Sequence, residues 1–167
     1  MENLLQYIHD KLKAKFGDAI ISAEQLYDFP VFVVKRENIF DIMKFLKEDT
    51  ETGFEFLTTL CGLHYPENKG HELGVMYQLH NLPKNWRIRV KTFFPITAPE
   101  VQSVTSLFPS ANWQERQEYD FFGIIFKGHP NLKRILNMDS MNYYPMRKEY
   151  PLEDATRDDK NDSMFGR

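Results

Sequence analysis

The stretch from Asn112 to Leu136 constrains this chain most, because Trp113, Tyr119, Phe121, Phe122, Ile124, Ile125 and Phe126 bracket a cluster of charges there. It reads as a short charged helix, a glycine-punctuated turn and an extended basic segment. Asn112 followed three residues later by Glu115 fits a capping box, Gly123 fits the helix stop, and an acidic first turn suits the helix dipole. At roughly 100° per residue, Trp113, Arg116, Gln117 and Asp120 share one face while Glu115, Tyr119 and Phe122 share the other. Two readings stay open. One is a solvated amphipathic helix with an Arg116 to Asp120 pair at i,i+4, worth roughly a few tenths of a kcal/mol. The other is a set of charges desolvated by the aromatics, which then require named partners.

With 167 residues, 42% of them hydrophobic and 14% aromatic, the chain can bury one core, so one domain with a tail is expected. A net charge of -3 argues against a free-standing binder of nucleic acid or anionic membrane. The single cysteine, Cys61, excludes an internal disulfide and a cysteine-ligated cluster held within the sequence. No apolar run is long enough to cross a bilayer. The start, Met-Glu-Asn-Leu-Leu, lacks the features of a signal peptide, which places the chain on the cytosolic side, with attachment to a membrane-bound assembly allowed.

In chain order, Leu4, Leu5, Ile8, Leu12 and Phe16 predict an amphipathic helix over 2–16, stopped by Gly17. Strands over 19–26 and 31–34 follow, joined in a hairpin with its turn near Pro30. A second helix is predicted over 37–48. Residues 54–63 carry apolar groups on both parities, as a central strand covered on both sides would, with Cys61 in the core. Strands over 73–81 and 86–94 come next, and the second sets Trp86, Ile88 and Val90 inward and Arg87, Arg89 and Lys91 outward. That basic stripe is either a solvated face or a surface for an acidic partner. A third helix is expected from Thr97 or Ala98 to Phe108, with Pro99 in its first turn. The fold class is therefore α+β: a two-layer domain over 1–136 with a largely antiparallel or mixed sheet and amphipathic helices packed on it.

Residues 137–167 show neither helical nor strand periodicity. The first half holds Met138, Met141, Tyr143, Tyr144, Met146 and Tyr150, which suits an extended arm docked on a partner. Seven of the ten residues from Glu153 to Asp162 are charged, which suits disorder in the free protein.

Catalytic and cofactor motifs are missing. The histidines are scattered and no Cys-x-x-Cys or His-Glu-x-x-His occurs; Gly-rich phosphate loops and the Gly-x-Ser-x-Gly elbow are also missing. Glu115 and Glu118 are neighbours at i,i+3, which alone does not make an acid/base pair. His129 before Pro130 suits the capping of a turn by its ring.

Glu115-Arg116-Gln117, Asp120, Phe121-Phe122, His129, Lys133 and Ile135-Leu136 resemble the signature of the C subunit of respiratory NADH:quinone oxidoreductase, or complex I, with Gln117 where the family has glutamate. Downstream, Met146-Arg147-Lys148-Glu149-Tyr150-Pro151-Leu152 resembles the family's tail motif, with Met146 for Leu and Glu149 for Asp. The resemblance implies a non-catalytic peripheral-arm subunit, bacterial, on the cytoplasmic side of the inner membrane. Its arm would run along the quinone-site subunit, with an iron–sulfur subunit nearby. Fe–S clusters, FMN, NADH and quinone would be bound by other chains, and this one would hold no cofactor.

On that reading Glu115, Arg116, Asp120, His129, Lys133, Arg134, Arg147, Lys148 and Tyr150 are the partner-binding residues, their charges answered on another chain. It requires that the ions are not neutralised internally and that 137–152 do not fold back on the chain's own core. The alternatives are the equivalent subunit of an energy-converting hydrogenase or formate-linked complex, and a nucleic-acid-binding module using Arg87, Arg89 and Lys91.

Overall fold

A computed structural model describes residues 2–150. Helix α1 (Glu2–Phe16) leads through a 3-10 turn into strand β1 (Ile20–Leu26) and strand β2 (Phe29–Val34). Helix α2 (Ile39–Glu48) follows, then β3 (Phe56–His64), β4 (Leu73–Asn81) and β5 (Trp86–Phe94). These strands form one sheet in the order β1-β2-β5-β4-β3, antiparallel except for β2 beside β5. Short strands β6 (Glu100–Gln102) and β7 (Ile125–Lys127) pair in parallel on either side of helix α3 (Ala111–Phe122).

The core lies on one face of the sheet. Leu73, Val75, Tyr77 and Leu79 of β4 and Ile88, Val90 and Phe94 of β5 meet Ile8 and Leu12 of α1 and Ile39, Ile42, Met43 and Leu46 of α2, all buried. The period-two alternation of β4 and β5 and the 3.6 period of α2 thus fold into two layers, as expected.

Several local readings change. Pro30 lies inside β2, opposite Gln25, and the turn is at Tyr27 and Asp28. The register of β2 with β5 begins only at Val31, so the proline sits before that ladder starts. Strand β3 is an edge strand rather than a central one. A register shift between Leu57 and Thr59 moves both Leu57 and Leu60 onto the core face, which is why apolar residues occupy both parities. Cys61 pairs with Met76 on the opposite face and is only half-buried, so it is not a core residue.

The helix expected up to Phe108 is absent. Glu100–Gln102 form β6, and Thr105 to Leu107 make a turn. Val101, Val104 and Leu107 are all buried, so their spacing of three mimicked a helix while serving a strand and a turn on the same core.

Candidate docking site around helix α3

Helix α3 lies along the outer edge of β3. The Gln114 amide oxygen accepts the backbone N–H of Leu60, and a Glu118 carboxylate oxygen accepts that of Gly62 at 2.7 Å. Two backbone donors on the sheet edge are thereby satisfied by side chains, and the edge is closed to strand addition at that point. The fit is close: a Cβ on Gly62 would lie 2.5 Å from the Phe122 ring and 2.7 Å from Glu118.

The start of α3 departs from the capping-box reading. Ser110 is the N-cap residue, without a side-chain cap, and Glu115 reaches away from the helix instead. Its two carboxylate oxygens take Ser103 Oγ at 2.6 Å and the Val104 N–H at 2.7 Å, fixing the loop after β6. No acid stands in the first turn. Burial pushes both Glu115 and Glu118 up to about 7, against the hydrogen bonds that favour the charged form.

The other end holds the arm. Asp120 is fully buried and accepts five hydrogen bonds from residues 134–137 through its side chain. Its Oδ2 takes the backbone N–H groups of Ile135, Leu136 and Asn137 at 2.8 to 3.0 Å; its Oδ1 takes Arg134 Nη1 and Asn137 Nδ2, each at 3.0 Å. Burial alone would raise this carboxyl, but the N–H groups of Asn137 and Leu136, the Asn137 amide and the Ile135 N–H hold it far below the usual carboxylate range.

Arg134 then donates through Nη2 to the Met141 carbonyl at 2.9 Å and lies over the Tyr144 ring. Arg147 donates to the Phe122 carbonyl at 2.7 Å, and Tyr144 packs on Gly123, whose left-handed φ of 72° ends α3. The Lys148 N–H donates to His64 Nδ1 at 2.9 Å. Tyr150 packs at a tilt against Tyr143, with ring centres 5.1 Å apart.

Arg116 donates to the carbonyls of Lys133 and Arg134 at 3.1 and 3.3 Å and covers Trp113. It does not pair with Asp120. His129 accepts the Asn131 N–H on Nδ1, which leaves Nε2–H to donate to the Asn112 carbonyl at 3.0 Å. The ring ties the turn to the helix start, as a turn cap.

The expectation that these charges are answered on another chain is therefore corrected. Glu115, Asp120, Arg134 and Arg147 find acceptors or donors within the chain, and residues 137–150 fold back on α3. The physical reason is that a desolvated ion is bound by whatever polar group is nearest, here the backbone of its own arm. The tail beyond Tyr150, including the acidic stretch and the end of the second motif, lies outside the described residues.

What faces outward is different in kind. Leu136, Met138 and Met146 are at least half exposed, Tyr143 is exposed, and Trp113 at the start of α3 is exposed too. Lys133 and Lys148 are exposed cations on the same segment. Sequence reasoning missed His64, Gln114 and Asn137, whose roles depend on where β3, α3 and the arm meet one another. Only Asn137, a short amide directly after the apolar pair Ile135-Leu136, carried a local signal.

Residues 32–156 match the family described as respiratory-chain NADH dehydrogenase, 30 Kd subunit. The chain is 41% identical to the second of the C subunits of NADH-quinone oxidoreductase from Rhizobium etli (strain CIAT 652), over 83% of its length and 73% of the relative's. It is 40% identical to the C subunit of NADH-quinone oxidoreductase from Nocardioides sp. (strain ATCC BAA-499 / JS614) over 72% of its length, spanning 48% of that relative. Among solved structures, the trypsin-resistant fragment (1-134) of Nqo5 matches with a TM-score of 0.66 and 32% identity, over 77% of this chain and 98% of that one. A chain of the archaeal membrane-bound sulfane sulfur reductase shares the fold, with a TM-score of 0.73 at 23% identity, over 88% of this chain and 85% of that one.

Proposed function

Since this chain belongs to the 30 kDa subunit family of the respiratory-chain NADH dehydrogenase, a peripheral-arm subunit of complex I, we propose that its residues 133–150 clamp the quinone-site subunit. It works as part of a hetero-oligomeric, membrane-associated complex, and no described helix is long and apolar enough to cross a membrane. In this proposal the chain contributes no catalytic group. Electrons pass from NADH and FMN through Fe–S clusters to quinone on neighbouring subunits, coupled to ion translocation, on the cytoplasmic side of a bacterial inner membrane.

The observation that carries the reading is the division of labour along the arm. Its ionic groups are spent inward: Asp120 and Arg134 weld it to α3, and Arg116, Arg147 and His64 hold backbone groups where arm and domain meet. Its large apolar groups are turned outward at Leu136, Met138, Tyr143 and Met146. An arm fixed in advance loses little entropy on docking, and exposed Met and Tyr supply adaptable contact area. Arg116, Asp120, Arg134, Arg147 and Tyr150 thus serve docking by shaping the arm, Glu115 and His129 by fixing the loop and the turn that flank α3, while Lys133 and Lys148 supply charge at the arm's rim.

The test is a double substitution, Leu136→Asp with Met138→Asp, in the full chain within its host complex. Secondary structure should be unchanged while co-purification with the quinone-site subunit falls. An unchanged yield of intact complex and unchanged quinone reduction overturn the proposal.

A further inference from the structure

The sheet has a second face that no described helix covers: the buried residues of α1 and α2 all join the core on the opposite side. Along β5 this face carries exposed Arg87 and half-buried Arg89 and Lys91. On the flanking strands the register sets Val31 beside Arg89, Val33 beside Lys91, and Gln78 and Met76 on the other side. Among the described residues none of the three cations has an ion-pair partner; Glu24, on the same face, is two strands away.

Arg89 is also held in place. Its Nε donates to Gln78 Oε1 at 2.7 Å and its guanidinium lies 4.4 Å from the centre of the Phe29 ring. The Arg89 terminal nitrogens have no acceptor among the described residues, and neither has the buried Gln78 amide nitrogen beneath. A pre-set guanidinium fork with free outer N–H groups is complementary to a carboxylate.

We infer that this face seats an acidic amphipathic helix of a neighbouring protein chain, with its carboxylates on Arg87, Arg89 and Lys91 and its apolar flank on Val33 and Met76. The periods agree: cations two residues apart on a strand are about 6.7 Å apart, and carboxylates at i and i+4 on a helix are about 6 Å apart. Nucleic acid fits less well, because Val31, Val33 and Met76 flank Arg89 and Lys91 and leave an apolar surface that a phosphate backbone would not use, and the chain's net charge is -3.

The inference rests on this chain sitting in a larger assembly, but not on the arm. The test uses the intact complex. A zero-length carbodiimide should join Lys91 to a Glu or Asp in a helix of another subunit, identified by peptide mass spectrometry. Lys91→Glu and Arg87→Glu should each lower recovery of that subunit roughly tenfold, and Lys91→Gln less, with thermal unfolding of the purified chain unchanged. A complete complex in which Lys91 forms no such link and Lys91→Glu assembles normally overturns the inference and leaves the arm proposal intact. A link to a second copy of this chain, or binding by this face only to anionic vesicles, also overturns it. Absence of any co-purifying subunit overturns both.

Discussion

Asp120 and Arg134 meet at 3.0 Å with Asp120 fully buried, and three successive backbone N–H groups beyond the arginine converge on the same carboxylate. One side chain at the end of α3 therefore sets the direction in which the chain leaves the domain. A single ion pair could be strong without orienting anything; three N–H groups on one oxygen fix a backbone.

Replacing that carboxylate tests the point. Asp120→Asn keeps the size but removes the charge, leaving Arg134 largely buried without its counter-ion. The expected cost is about 3 to 5 kcal/mol, read by denaturant unfolding, with faster amide exchange at Ile135 to Asn137. A loss below about 1 kcal/mol would place the arm's anchorage elsewhere.

The packing of α3 on the sheet edge is tested at Gly62. Gly62→Ala puts a methyl group 2.5 Å from Phe122 and displaces Glu118 from the strand. Destabilisation of about 1 to 3 kcal/mol is expected from overpacking. The Leu60 and Gly62 amides should lose exchange protection together.

Glu115 and Glu118 predict a pH effect of definite sign. Their folded values near 7 lie above the ordinary 4.5, so the folded state holds more protons between those limits. Stability should fall as pH rises from about 4.5 to 7 and level off above, by at most roughly 3 kcal/mol for each group. Glu118→Gln should flatten part of that slope. A flat profile for the unaltered chain over this window would show that both carboxylates titrate normally.

His64 acts in the opposite sense. Burial lowers its affinity for a proton, and Nδ1 accepts from the Lys148 N–H only while unprotonated. Glu149 at 3.9 Å favours the charged ring, while Arg147 and Lys148 oppose it. The stability it contributes is present above 6.5 and is lost as pH falls below that through its lowered folded value. Amide exchange at Lys148 should accelerate over that acid range, and His64→Gln should remove the dependence.

Arg116→Ala should weaken assembly while leaving the isolated domain folded. Arg116 bonds two carbonyls of the arm and covers the exposed Trp113 ring. The measurement is recovery of the complex beside the melting temperature of the chain alone. A large fall in melting temperature would make it a residue of the fold instead.

The sequence by itself determined the layers, the bounds of β4 and β5, the end of α3 at Gly123 and the α+β class. Each depends on a side chain's own backbone preference or on a period of two or 3.6, which are local properties. It also held the two motifs through which the family was legible. Only the tertiary structure decided which way the charges point. Glu115 could cap its own helix or reach Ser103, and Asp120 could pair with Arg116 four residues earlier or with Arg134 fourteen later. Spacing along one helix makes the near partner look available. Burial removes the competition from water, and the far partner wins because it brings backbone donors with it. For the same reason Val101, Val104 and Leu107 imitated a helix: a spacing of three records only that residues share a core, and the strand that holds Val101 there is defined by its pairing with β7, distant in sequence.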